Sequence, residues 1–250
     1  MPLRRASDDS PFRKARTIEL RYLRTLRSVA VQIGRLIDGF TNPGEDPETD
    51  PLIGAALGSY ADLLRPWAAS VAARIVGEVD REDAQAWARH AATMQRSLRA
   101  ELALAPTGAI VRERMADQVT LITSLPIDAA SRVHELTLAA IADGTRAKEI
   151  AGEIARSGEV SLGRAKLIAR TEVSRTGVEL TRARATSVGS EDFIWRDVGD
   201  NDVRPDHRLL SGRTFKWLAP PVADQRTGTR ALPGGIWNCR CWAEPVIPDY

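Results

Sequence analysis

Through most of the first 190 positions apolar residues recur at three- and four-residue steps, and after that they fall into short runs. From Pro11 to about Asp38 the stripe Ile18, Tyr22, Leu26, Val29 and Ile33 predicts an amphipathic helix with an arginine-rich opposite face. Gly39 to Pro51 combines glycine, asparagine, prolines and an acidic run, and reads as a linker. Residues 52–104 read as two or three helices. Pro66 starts or kinks one of them, and Trp87, Ala91, Met94, Leu98 and Leu102 form the buried stripe of the next. Residues 109–124 and 128–143 supply two more, separated by Pro126. Gly144 fits a C-cap and Thr145 the N-cap of a short helix to Arg156. Ser157-Gly158 breaks the chain. Ser161 then caps a long helix to about Ser187, with Leu162, Ala165, Ala169, Val173, Thr176 and Leu180 along one side.

After Gly189 the character changes. Phe193-Ile194-Trp195, Thr214 to Trp217, and Cys241 to Ile247 are β-type runs separated by turns rich in Gly, Pro and Asp. The pattern therefore predicts a mainly α N-terminal region followed by a small α+β C-terminal module with short antiparallel strands. Residues 1–10 read as a flexible N-terminus, 11–155 as the helical region with its linker at about 39–51, and 160–250 as the compact module.

Composition narrows the function classes. The 250 residues are 43% hydrophobic and 27% charged, ordinary for a globular protein, and long enough for one large domain or two modest ones. No apolar run approaches a membrane span, and the basic N-terminus has no apolar stretch behind it, so neither a spanning helix nor a secretory signal is expected. Two cysteines one residue apart make no disulfide framework, which fits assembly in the cytosol. The net charge of +2 is too small for a dedicated nucleic-acid binder, although residues 1–40 hold nine Lys/Arg against four Asp/Glu. Arg13, Arg16 and Arg24 on the first helix are candidates for contacts to DNA phosphates or a partner protein.

Rare residue types gather at the end of the chain. Four of the six tryptophans, both cysteines and the last of three histidines lie between Trp195 and Trp242. Cys239-Arg240-Cys241 in extended backbone would turn both sulfurs to one face. With His207 and an Asp they could supply a zinc site, but Cys-x-Cys is poor zinc spacing, and the competing reading buries both as small residues in a mini-core with Trp237 and Trp242. Asp202-x-Arg204-x-x-His207, with Asp197, Asp200 and Asp206 beside it, admits a metal-dependent nuclease or other hydrolase centred on His207. The alternative is a loop whose aspartates cap backbone N–H groups while Arg204 reaches a carboxylate. Arg170 and Glu172 on the long helix are two apart and do not face one another, so each needs a different partner. His90 and His134 lack neighbouring ligand residues. No phosphate-binding glycine pattern or nucleophile elbow occurs, and no cofactor is called for apart from the zinc alternative.

Taken in order, these segments resemble the phage Mu F-type head-morphogenesis family, minor capsid proteins of tailed phages and prophages. The series runs from Arg170-Thr171-Glu172 through Asp202, Arg204, His207 and Gly212 to Pro233-Gly234 and Trp237-Asn238-Cys239-Arg240-Cys241, within about residues 130–250. Many relatives carry His-Pro before the final run and Cys-x-x-Cys in place of Arg-x-x-His. This chain has Ile236-Trp237 and, within residues 160–250, His207 as its single histidine, which counts against a metal site. The resemblance implies a structural, non-enzymatic component of the virion head or procapsid, assembled in the bacterial host cytoplasm. It would be associated with the portal vertex, contacting portal, capsid or scaffold proteins and packaged double-stranded DNA, with no role for a membrane.

Overall fold

The computed structural model describes residues 16–40, 50–91, 102, 104–143 and 147–247. Six helices and five strands follow one another within them: α1 (Arg16–Asp38), α2 (Asp50–Ala91), α3 (Thr107–Asp143), α4 (Ala147–Ala155), α5 (Ser157–Ser187), β1 (Asp192–Arg196), α6 (Pro205–Leu210), β2 (Thr214–Lys216), β3 (Val222–Asp224), β4 (Thr229–Arg230) and β5 (Trp242–Val246). The helical first part and the small antiparallel sheets at the end match the fold class read from the sequence. Among the described residues, no helix is long and apolar enough to cross a membrane.

The stripe assigned to the first helix is the buried face of α1: Ile18, Tyr22, Leu26, Val29 and Ile33 are each at most 3% exposed. Pro66 starts no helix and Pro126 separates none. Pro66 lies inside one continuous α2 and Pro126 inside one continuous α3. Proline in a helix interior costs about 3 kcal/mol. Burying one large apolar side chain returns about 1.5–3 kcal/mol, and Leu64 and Val71 flank Pro66 as Ile122 and Leu125 flank Pro126. Burial on both sides of each ring outweighs the lost hydrogen bond. Ser161 is no cap either, because α5 begins at Ser157 and the Ser161 hydroxyl donates to the Ser157 carbonyl inside the helix (2.9 Å). The capping roles given to Gly144 and Thr145, and most of the 39–51 linker, fall outside the described residues.

Division in chain order near residue 155 is also replaced. Two compact units form, one from the described parts of 1–19, 74–114 and 170–250, the other from 20–73 and 115–169. The reason is that α1, α2, α3 and α5 each contribute one segment to each unit. In the second unit the buried Tyr22 hydroxyl donates to Gln118 Oε1 at 2.6 Å. There α1 and α5 approach at a glycine pair, where a methyl on Gly158 would lie 3.0 Å from the Gly34 Cα.

The first unit holds the strands. β1 is central in the order β2-β1-β5, antiparallel to both neighbours, with Phe193 opposite Phe215 and Pro245, and Trp195 opposite Ala243. Its alternation puts Phe193 and Trp195 fully inside and half-exposes Asp192, Ile194 and Arg196. Phe193 packs 4.7 Å from the Trp217 ring, and Trp217 Nε1 donates to Ser190 Oγ. Trp87 of α2 and Val178 and Ala185 of α5 close this core from the helical side. Inside the same unit the buried Arg184 joins Asp80 and Asp83 (2.6 Å each), and the Thr181 hydroxyl also donates to Asp83. Burial pushes the Asp83 carboxyl up to about 6, against the lowering effects of Thr181 and Arg184.

Candidate functional site

Helix α6 and the loop before β5 build the site. Pro205 starts α6, its fixed φ suiting a first helical position. Two residues later His207 points inward and is 2% exposed. Gly212, at φ +80°, then reverses the chain, and its N–H donates to the Trp195 carbonyl (2.8 Å), which sets β2 beside β1.

The last loop is braced by α5. Arg170 donates to Asn238 Oδ1 (2.7 Å) and also reaches Glu19 (3.3 Å). The buried Thr171 hydroxyl accepts the Asn238 N–H (2.9 Å). Glu172 takes Arg175, three residues on, at 2.8 Å, and Arg175 donates twice to the Gly235 carbonyl while lying 5.6 Å from the Trp237 ring centre. Asn238 itself sits in the left-handed region at φ +60°, which asparagine tolerates better than most residues. Three successive helix residues thus hold one loop through different contacts.

The aspartates of the 197–206 stretch serve the backbone and the arginines. Asp197 accepts the Gly199 N–H (2.6 Å), and Asp200 accepts the Asp202 N–H (3.1 Å). Arg240 grips Asp200 through both terminal nitrogens (2.5 and 2.7 Å), which holds the Asp200 carboxyl below its ordinary range. Asp202 lies 3.6 Å from the same guanidinium. Arg204 reaches the Trp237 carbonyl (2.8 Å), where the sequence reading gave it a carboxylate. Trp237 is 44% exposed and stands outside the mini-core to which it was assigned, whereas Trp242 is buried.

Inside this frame His207, Cys239 and Cys241 converge. Nδ1 of His207 lies 3.5 Å from Cys239 Sγ and 3.4 Å from Cys241 Sγ, while Nε2 bonds the Ala223 carbonyl at 3.0 Å. The Trp195 ring meets the imidazole edge-on at 5.3 Å. The Gly234 N–H donates to Cys239 Sγ (3.3 Å). A hydrogen bond from Cys241 is the main reason the Cys239 thiol falls to about 4; burial opposes it and His207 assists. The same partnership pushes the Cys241 thiol up. Burial alone would lower His207, but the Cys239 sulfur and the Ala223 carbonyl carry it above its usual value.

A cavity of about 50 Å³ reaches the three side chains, lined also by Val198, Asp202, Val203, Arg204, Asn238 and Arg240. That is room for a few waters or an ion, well short of the roughly 300–1,000 Å³ typical of small-molecule sites. The two ring nitrogens of His207 face Ala223 on one side and the two sulfurs on the other.

Of the residues singled out by sequence, Arg170, Thr171, Glu172, Asp202, Arg204, His207 and Trp237 to Cys241 gather around this one loop. Arg16 pairs with Glu19, Arg24 is exposed on α1, and Arg13 lies outside the described residues. Sequence reasoning missed Arg175 and Ala223. The last contributes only a carbonyl and leaves no side-chain signal.

Comparison with known proteins places this region. A protein of Haemophilus influenzae (strain ATCC 51907 / DSM 11121 / KW20 / Rd), described as an uncharacterized protein, is 30% identical over 134 residues. That match takes in 54% of this chain and 29% of the relative, so the chain spans under a third of it. No solved structure matches. A family model described as phage Mu protein F like protein matches residues 131–244, a stretch holding the α5 bracing residues, His207 and both cysteines. Over those residues the chain is similar to the phage Mu protein F-like family.

Proposed function

We propose that this chain is a structural phage head-morphogenesis protein, a minor capsid component that docks at the portal vertex and acts without catalysing a reaction. The family match over residues 131–244 carries the reading. The site supports it: its conspicuous residues brace a loop and fill a core, and its cavity is too small for an organic substrate. The partners in this reading are portal, capsid and scaffold proteins, and its place is the procapsid and virion head.

Packaged double-stranded DNA is a further partner in the proposal, touched through phosphates. Arg24, Arg27 and Arg35 lie exposed on the polar face of α1, where guanidinium groups can meet a backbone without reading bases.

Co-expression with the portal and major capsid proteins, followed by isolation of procapsids and mature heads, tests the assignment. Low-copy presence in either particle is the expected result, and absence from both refutes it. For DNA, binding should be independent of sequence and weaken steeply with salt. Neutralising Arg13, Arg16 and Arg24 together should flatten that dependence; a salt slope unchanged in the triple variant removes DNA from the list of partners.

A further inference from the structure

We infer that His207, Cys239 and Cys241 form a binding site for one Zn²⁺ ion. The inference stands on the geometry of three side chains and is independent of a role in head assembly. All three are buried, and their ligand atoms lie within 4.8 Å of one another. Tetrahedral zinc has Zn–N bonds of about 2.0–2.1 Å and Zn–S bonds of about 2.3 Å, which set nitrogen and sulfur about 3.5 Å apart. The two N···S separations here are 3.5 and 3.4 Å. The imidazole nitrogen already stands at tetrahedral spacing from both sulfurs.

The surrounding contacts fix the ligands in the orientation a metal requires. The Ala223 carbonyl can only accept, so Nε2 of His207 is the protonated nitrogen and the neutral ring turns the Nδ1 lone pair toward the sulfurs. A backbone carbonyl on the far ring nitrogen is the usual way a metal-bound histidine is held in place. The Gly234 N–H aimed at Cys239 Sγ stabilises a thiolate more than a thiol.

Charge and softness select the ion. Two thiolates and a neutral imidazole balance a divalent cation, so the buried cluster carries no net charge, which burial would otherwise penalise heavily. Sulfur and nitrogen ligands favour zinc over magnesium or calcium, which require oxygen. The cavity supplies the fourth position, with room for a bound water. His207 lies 32 and 34 residues before the two cysteines, so the ion would tie α6 to the loop entering β5.

The test is metal analysis of the full chain, purified reduced and without a metal-affinity tag. One zinc per chain is expected by mass spectrometry of the digested protein, falling to background in the Cys239→Ser/Cys241→Ser double variant. Cobalt added to the reduced, chelator-treated wild type should give the near-ultraviolet thiolate-to-cobalt absorption of a two-sulfur site, a measurement that needs no variant to fold. Zinc at background in the wild type together with no such absorption overturns the site, leaving a hydrogen-bonded Cys–His cluster. Zinc retained by the double variant overturns it as well.

Discussion

Gly234 offers a sharp test of how tightly the last loop is seated. Its φ is +84°, and a methyl group added there would lie 3.1 Å from the Cys241 carbonyl oxygen, 3.1 Å from the Ser174 Cβ and 3.3 Å from the Ser174 carbonyl oxygen. Two of those three atoms are backbone and the third is a Cβ, so none can swing away. In Gly234→Ala the left-handed conformation costs about 1–2 kcal/mol. Overpacking adds about 1–3 kcal/mol, and the stiffer unfolded chain returns about 0.4–1 kcal/mol. The net loss should be about 1–5 kcal/mol. Gly228 is the control: its φ is +68° but nothing lies within 4 Å of an added methyl, so Gly228→Ala should lose about 1 kcal/mol or less. Urea denaturation followed by tryptophan fluorescence compares the two, with midpoints read at matched slopes. A Gly234→Ala midpoint no lower than that of Gly228→Ala would refute the claim that α5 and the loop form one rigid contact.

Other perturbations probe the rest of the first unit. Thr171→Val keeps the shape of the side chain but removes the acceptor of the Asn238 N–H, and should cost about 1–2 kcal/mol in the same assay, with Thr171→Ser close to wild type. A valine variant as stable as the serine one would mean the bond contributes nothing. Phe193→Ala empties a fully buried site against Trp217 and should cost about 3–5 kcal/mol; a loss under about 1 kcal/mol would show the sheet core to be loosely packed. Asp83, with its carboxyl pushed up to about 6 from 3.8, binds more protons folded than unfolded within that window. Its contribution is therefore most favourable below pH 4, is lost as pH rises to about 6, and is flat above, a total of about 3 kcal/mol. The stability of wild type minus that of Asp83→Asn should fall across that range, and a difference that is flat or rises with pH contradicts the assignment.

Much of the fold was legible because it rests on periodicity. The α1 stripe is long enough to declare a buried face, which is where the pattern puts it, and the Phe193-Ile194-Trp195 run lies in strand β1. Pro66 and Pro126 misled because a proline's local cost is visible in sequence, while the burial that outweighs it depends on partners far along the chain. Helix α6 and the strands β3 and β4 run for six, three and two residues, too short for any period to show. Pro205 was the available sign of a helix start, and Gly228 of a turn.

The site divides along the same line. Two cysteines one residue apart imply sulfurs on a common side, and both do turn to His207, 32 and 34 residues earlier. What no spacing could convey is that the histidine is fully engaged: one nitrogen faces a main-chain carbonyl and the other the two thiols. The clustered acids, which suggested hydrolysis in the sequence, have partners of their own. A carboxylate beside a histidine in sequence draws the eye, yet Asp197 and Asp200 accept backbone N–H groups two residues on, and Asp200 is also gripped by Arg240. The acids shape the loop, Arg240 ties that loop to the last run, and Arg170, Thr171 and Arg175 tie the last run to α5. Each of these residues holds another segment of the chain in place, which makes the helix, the acidic loop and the last run one braced unit.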